Sequence, residues 1–267
     1  MNRLFSCLVI LCAIAISMSL KAETAAAGDS RLTAVVKSGK LRVCQVPSYY
    51  AISYRNPKTN ELEGIDVDLS KELADALGAK LEIVETGWVT FIADLQAGKC
   101  DIGMFAVGAT LKRAQAVEFS DPYLASGVYA IVKKDSKIQS WDEIDQSGNR
   151  IVVTLGAFME PYMKARTKNA QIVAVTPPAN GLSEVAANRA DIYVTDYPAG
   201  MKMAKDFDWA RIIAPKTPLG VTPYSYVVAP GDQVWLNYIN LFVRTIKLDG
   251  RLRDYADKHN LGPIVSP

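Results

Sequence analysis

Apolar and polar positions change their period several times along this chain, and the changes mark its elements. After a short helix beginning near Leu32, Leu41 and Val43 alternate with polar neighbours as far as Val46, the period-2 pattern of a half-buried strand. The segment that follows carries Asn56-Pro57 and Thr59-Asn60, a turn between two extended pieces. Ile65, Leu69, Leu73 and Leu77 then recur every four residues, which predicts a helix over 66–77, with Asp66 capping its start and Gly78 stopping it. A strand over 80–84 comes next, and then a helix near 91–96 that ends at Gly98. A short buried strand is expected over 101–105, then a small-residue loop from Ala106 to Thr110, a basic turn carrying Arg113, and a second extended piece through Phe119.

The run 126–133 is extended and leads into a second set of elements. Helix 141–145, strand 150–154, helix 158–167, strand 171–175, helix 180–188, strand 191–195 and helix 197–205 follow in order, with Pro198 tolerated in the first turn of the last helix. After strand 211–213, the stretch 217–230 reads as a return connection, and helices 232–247 and 250–259 close the chain. Strands alternating with helices imply largely parallel sheets with ligand loops at the carboxyl ends of the strands. Tyr49, Trp88 and the 105–113 loop then share one edge. Two crossings make the first lobe discontinuous and allow hinge closure around a ligand. No internal repeat or low-complexity tract stands out.

Composition narrows the classes. An apolar run from Leu4 to Leu20, preceded by Arg3 and followed by Lys21-Ala22, has the form of a secretory signal peptide over residues 1–22, with Ala22 or Ala27 as cleavage sites. A membrane anchor is the rival, since the run approaches bilayer length, whereas Leu11 before Cys12 is too bulky for a lipid-attachment site. Residues 23–30 read as a disordered lead-in. Losing Arg3 and Lys21 leaves 28 basic against 28 acidic residues, which argues against a nucleic-acid or anionic-membrane partner. Cys44 and Cys100 then remain, and a disulfide is the default in an oxidising compartment. His259 is the only histidine, so neither a Cys/His catalytic pair nor a zinc site has support, and no cofactor is expected.

The most informative residue is Arg113, placed just after a strand end, where its planar guanidinium can hold a carboxylate through two parallel hydrogen bonds. Around it runs T-x-x-R-x-x-x-V-x-F-S-x-P-Y: Thr110, Arg113, Val117, Phe119, Ser120, Pro122 and Tyr123. This string resembles the central motif of bacterial extracellular solute-binding proteins of the polar amino-acid class, the periplasmic receptors of ABC importers. GIDVDLSKELADALGAKLEIV from Gly64 and ANRADIYVTD from Ala187 resemble two further motifs of that family. The resemblance implies an α/β fold of two Rossmann-like lobes joined by two crossing segments, the type II periplasmic binding protein. Residues 28–127 with 219–267 would form lobe 1 and 128–218 lobe 2. It also implies a monomeric periplasmic protein that serves ABC permease subunits, binds an amino acid or related small zwitterion, and catalyses nothing.

On that resemblance Asp196 accepts the ligand's ammonium opposite Arg113; helix N-capping explains the same residue, and the two roles are compatible. The turn 154–160 offers Gly156 and Ala157 amides to an anion. The chain departs from the family where Ala157 and Phe158 replace hydroxyl residues and where Gly108 replaces a Ser or Thr, so backbone amides would have to serve there. Tyr49, Trp88, Phe105 and Phe158 are candidates either for the ligand's side-chain pocket or for plain core. The alternative reading is a periplasmic lyase resembling cyclohexadienyl dehydratase, on the likeness of 30–43 and 143–148, with Glu160 as general acid.

Overall fold

The structure is a computed structural model that describes residues 30–177 and 179–267. The expected leader lies outside the described residues. The chain runs α1 (Arg31–Ser38), β1 (Lys40–Gln45), β2 (Ser48–Tyr49), β3 (Ser53–Arg55), β4 (Leu62–Glu63), α2 (Ile65–Ala76), β5 (Lys80–Glu85), α3 (Phe91–Gln96), β6 (Ile102–Gly108), β7 (Glu118–Phe119) and β8 (Leu124–Ser126). It continues through β9 (Val128–Lys133), β10 (Arg150–Thr154), α4 (Met159–Lys164), β11 (Gln171–Val175), α5 (Gly181–Ala186), β12 (Ile192–Asp196), α6 (Tyr197–Asp206) and β13 (Ala210–Ile213). It ends with β14 (Thr222–Val228), α7 (Gln233–Leu248) and α8 (Arg251–Lys258).

Two sheets organise these elements. The first has the order β5-β1-β6-β14-β7, with β8 also paired to β14, and the second has the order β11-β10-β12-β9-β13. In each, three parallel strands are followed by an antiparallel partner that enters from the other side of the crossing: β14 beside β6, and β9 beside β12. The central strands β6 and β12 are buried along their whole length. This is what near-continuous apolar runs such as IGMFAVG become when both faces are covered. Each sheet therefore carries its own core, with Leu41, Val43, Ile102 and Met104 in one and Ile151, Val153, Ile192 and Val194 in the other. The expected two-lobed α/β class holds. No helix among the described residues is long and apolar enough to cross a membrane.

The two crossings touch. Val128 N–H donates to Leu219 O at 2.9 Å, and a Cβ on Gly127 would lie 2.7 Å from that carbonyl, so glycine is required where the connections pass. Cys44 at β1 and Cys100 ahead of β6 form the expected disulfide.

Four expectations need correction. Asp66 does not cap α2: the cap is Gly64, and Asp66 lies in the first turn, fully buried, accepting from Ala106 N–H at 2.7 Å and the Tyr123 hydroxyl at 2.6 Å. The small-residue stretch Ala106–Gly108 is not loop but the end of β6, because Val107 and Gly108 pair with Ser225 and Tyr224. Half of the supposed return connection is β14, a strand inside the first sheet. A repeat does exist. Arg42 at β1 clamps Asp101 ahead of β6 through its backbone N–H, Nε and Nη2, and Arg150 at β10 clamps Asp191 ahead of β12 with the same three donors.

Candidate functional site

Because both lobes repeat one plan, the carboxyl ends of β6 and β12 face each other across the seam. Arg113 follows β6 in a single 3-10 turn, its N–H bonded to Thr110 Oγ1 at 3.3 Å. Its guanidinium is 9% exposed and stands over the rings of Phe91 at 5.4 Å and Trp88 at 5.8 Å. Nη1 donates to Gly108 O in the same lobe and Nη2 to Gly156 O in the other, both at 2.9 Å. Burial pushes its pKa down to about 10, so it remains a cation at neutral pH.

Asp196 ends β12 and is fully buried. Its Oδ1 accepts the Ala199 N–H at 3.2 Å, so it caps α6 as its sequence position suggests. Its Oδ2 turns to the first lobe and accepts the hydroxyls of Tyr49 and of Tyr224, the latter at 2.5 Å. Burial raises the Asp196 pKa against the lowering effect of those hydrogen bonds. Burial and the Asp196 charge both push the tyrosine hydroxyls well above their ordinary range, so they donate at any physiological pH. Neither Arg113 nor Asp196 forms an ion pair with another side chain among the described residues. At the seam one lobe thus presents a buried cation and the other a buried anion, and among the described residues the hydrogen-bond partners of both are neutral groups.

A cavity of about 270 Å³ opens beside this seam, walled by Tyr49, Tyr54, Trp88, Phe158, Tyr193 and Met203. Among the described residues, no charged side chain lines it. A second cavity of about 560 Å³ contains Arg113, Lys112, Phe91, Glu160 and Lys164. Trp88, Ala157 and Phe158 line both. Trp88 is held edge-on by Tyr49 at 5.3 Å and by Phe105 at 5.4 Å. Phe105 itself is fully buried, which places it in the core rather than in the pocket.

The turn after β10 brings Gly156, Ala157 and Phe158 to the seam. Gly156 has φ +79°, and a Cβ there would lie 3.0 Å from the Trp88 backbone, so the lobes approach here only because the residue is glycine. The expected free amides are taken: Gly156 N–H donates to Glu160 Oε2 at 2.8 Å and Ala157 N–H to Thr154 O at 3.2 Å. Gly108 offers its carbonyl to Arg113, and the space above its Cα holds the Phe158 ring. Burial raises the Glu160 carboxyl, but hydrogen bonds from Lys164 and Gly156 N–H and the Lys164 charge outweigh it, so Glu160 is held below its ordinary value. An ionised Glu160 accepts protons rather than supplying them.

Sequence reasoning missed Tyr54, Tyr193, Met203 and above all Tyr224. Tyr193 was accessible from the alternation of ADIYVTD; Tyr224 was hidden in a segment read as a connection. Among the described residues no group of three or more His, Cys, Asp or Glu is placed to hold a metal ion.

The chain is 28% identical over 250 residues to the cyclohexadienyl dehydratase of Pseudomonas aeruginosa, covering 93% of this chain and 89% of that protein. It is 27% identical over 207 residues to the ABC transporter glutamine-binding protein GlnH of Bacillus subtilis, covering 76% of this chain and 75% of that one. Its structure superposes with a TM-score of 0.80 and 33% identity on an ancestral amino acid-binding protein described as a precursor of cyclohexadienyl dehydratase, covering 86% of this chain and 99% of that one. Residues 41–262 match the family described as bacterial extracellular solute-binding proteins, family 3, and the chain belongs to it.

Proposed function

We propose that this protein is the periplasmic substrate-binding receptor of an ABC importer, closing about its two crossing segments on an amino acid or related small zwitterion with an uncharged side chain. The observation that carries the reading is the pair of uncompensated buried charges. A buried ion costs free energy unless an opposite charge meets it, and here a guanidinium in one lobe and a carboxylate in the other lack such a partner among the described side chains. A zwitterion supplies both counter-charges at once. Its carboxylate takes the Arg113 fork and its ammonium takes Asp196, while Tyr49, Trp88 and Phe158 meet its side chain. Among the described residues, 30–127 with 219–267 would move as one body and 128–218 as the other. The uncharged 270 Å³ chamber favours an aromatic, aliphatic or thioether side chain over a cationic one.

The relatives named for binding amino acids support this role, and the family's extracellular description supports a periplasmic location after removal of the leader. A thermal-shift screen of the amino acids tests it. Stabilisation by large neutral amino acids is expected, and a response confined to small polar ones would overturn the assignment of side-chain class.

A second reading, a lyase acting on prephenate or arogenate, is favoured by the likeness to cyclohexadienyl dehydratase over most of both chains. It asks for a protonated acid at the leaving hydroxyl. Glu160 is the candidate, yet it is ionised, salt-bridged to Lys164 at 2.6 Å, and lines the outer cavity rather than the aromatic one. Binding without turnover is therefore the reading adopted. Phenylpyruvate absorbance appearing on incubation with prephenate would reverse it.

A further inference from the structure

β6 and β14 do not run in step. Gly103 pairs with Val227 and Val107 with Ser225, and between those pairs Met104, Phe105 and Ala106 stand against Tyr226 alone. The surplus makes a β-bulge, and at its end Ala106 has φ +49°, a left-handed backbone that an alanine keeps only where its surroundings hold it there. The holder is Asp66. Its Oδ2, fully buried, accepts the Ala106 N–H at 2.7 Å and the Tyr123 hydroxyl at 2.6 Å, and the same N–H also donates to that hydroxyl at 3.1 Å. Its Oδ1 accepts the Tyr226 hydroxyl at 3.4 Å. One carboxyl thus ties both sides of the bulge, Ala106 on β6 and Tyr226 on β14. Its own backbone is fixed as well, because Asp66 N–H donates to Ile52 O and Gln45 Nε2 donates to Asp66 O, both at 3.0 Å.

Just past the bulge both strands reach the seam. Gly108, two residues beyond Ala106, gives its carbonyl to Arg113 Nη1 at 2.9 Å. Its pairing partner Tyr224 gives its hydroxyl to Asp196 Oδ2. Ala106 itself walls the aromatic cavity. A one-residue slip reverses the direction of every group along a strand, so a bulge that relaxed would turn the Gly108 carbonyl away from Arg113. Resting on the receptor reading above, we propose that Asp66 is a positioning residue of the ligand site: by clamping the bulge at Ala106 it fixes Gly108 O, and through it the Arg113 guanidinium, where the ligand carboxylate is received. Asp66 lines neither the aromatic cavity nor the Arg113 cavity, so it acts through the backbone alone.

The test compares Asp66→Asn, Asp66→Leu and Tyr123→Phe with wild type. Asparagine keeps an oxygen for the Ala106 N–H and the Tyr123 hydroxyl, and its amide can donate to the Tyr226 oxygen. Leucine keeps the volume and offers no acceptor. Tyr123→Phe removes one hydroxyl from a buried ring, so it carries the test should the leucine variant not fold. The first readout needs no ligand: the nitrogen–proton resonances of the Arg113 Nε, identified by its loss in Arg113→Lys, and of the Gly108 amide. Both should hold their wild-type positions in Asp66→Asn and move in Asp66→Leu, with a smaller movement in Tyr123→Phe. The second is calorimetric titration with L-phenylalanine and L-methionine, well below each variant's melting temperature. Their dissociation constants should weaken by about tenfold or more in Asp66→Leu and stay within about threefold of wild type in Asp66→Asn. A folded Asp66→Leu protein, or Tyr123→Phe in its place, that lowers the melting temperature but leaves the Arg113 resonance and both affinities unchanged overturns the proposal and makes Asp66 a bolt of the core. An Asp66→Asn protein that loses as much as Asp66→Leu overturns it too, because the acceptor would then not be what matters. If no amino acid binds wild type, the receptor reading fails, and the first readout alone decides whether Asp66 seats Arg113.

Discussion

Replacing Arg113 by alanine probes the proposed grip most directly. The guanidinium is nine-tenths buried, bridges Gly108 O and Gly156 O, and has no carboxylate against it among the described side chains. On the proposed grip, its removal takes away the cation that the ligand carboxylate would meet. Truncating one member of a desolvated charge pair costs about 2 kcal/mol or more, because the other charge is left buried and unpaired. That corresponds to a dissociation constant weaker by roughly thirtyfold. Two effects on the unliganded fold oppose each other: Gly108 O and Gly156 O lose a charged donor, while the penalty of burying an unpaired cation disappears. The melting temperature is therefore expected to move far less than the affinity. Calorimetry against the best ligand from the screen, with thermal unfolding in its absence, measures both. Arg113→Lys keeps the charge and loses the planar fork, so it should fall between wild type and alanine. A dissociation constant within threefold of wild type for a folded Arg113→Ala protein would refute the grip, and a lysine variant equal to wild type would refute its bidentate form.

Asp196→Asn keeps an oxygen for the Ala199 N–H and so keeps the α6 cap, while removing the charge offered to an ammonium. Affinity should drop about tenfold or more with melting nearly unchanged, and a loss of melting temperature without a loss of affinity would make the residue a cap alone. Asp66 is pushed up to about 7 by burial, against hydrogen bonds from Tyr123, Ala106 N–H and Tyr226. A carboxyl whose folded pKa is raised contributes stability that is present below about pH 4 and lost as pH rises through about 7, a swing of up to about 4 kcal/mol. Urea denaturation from pH 4 to 8 should show that decline, and Asp66→Asn should flatten it; an unaltered pH profile in the variant would show that Asp66 is not its source. Reduction of Cys44–Cys100, separated by 56 residues, should cost about 4 kcal/mol in the chain-entropy picture, read as a lower urea midpoint with reductant. A change below about 1 kcal/mol would mean that the unfolded chain keeps this region together.

Most elements were legible because their periods are strong and local. Helix 91–96 and strands 150–154 and 171–175 were placed to the residue. What failed depended on partners distant in sequence. β14 was read as a connection because Pro223 falls at its start and its buried positions include Tyr224, Ser225 and Tyr226 rather than an aliphatic run. Pro223 is tolerated because it sits near the strand end and its carbonyl accepts Ala109 N–H at 2.8 Å. The repeat is faint in the sequence because only its skeleton is shared: Gly98 and Asn188, both at positive φ, stand three residues before Asp101 and Asp191, and the arginines they serve lie far upstream. Arg113 was legible from its place after a strand. Its partners were not, since Gly156 O and the Phe158 ring arrive from the other lobe.

That division bears on selectivity. On the proposed reading, these seam contacts are the ones a zwitterion would replace: Gly156 O would give way to a carboxylate on Arg113, and the hydroxyls of Tyr49 and Tyr224 to an ammonium on Asp196. Each replacement would exchange hydrogen bonds in which only one member is charged for a pairing of opposite charges, so the gain is a difference rather than a whole interaction energy. Every α-amino acid makes that same exchange. Discrimination between amino acids must then come from the side chain, at about 25 cal/mol for each Å² of apolar surface buried. On that reading the aromatic chamber would decide which zwitterion shifts the lobes toward closure, since a ligand moves such an equilibrium only by its differential affinity for the closed form.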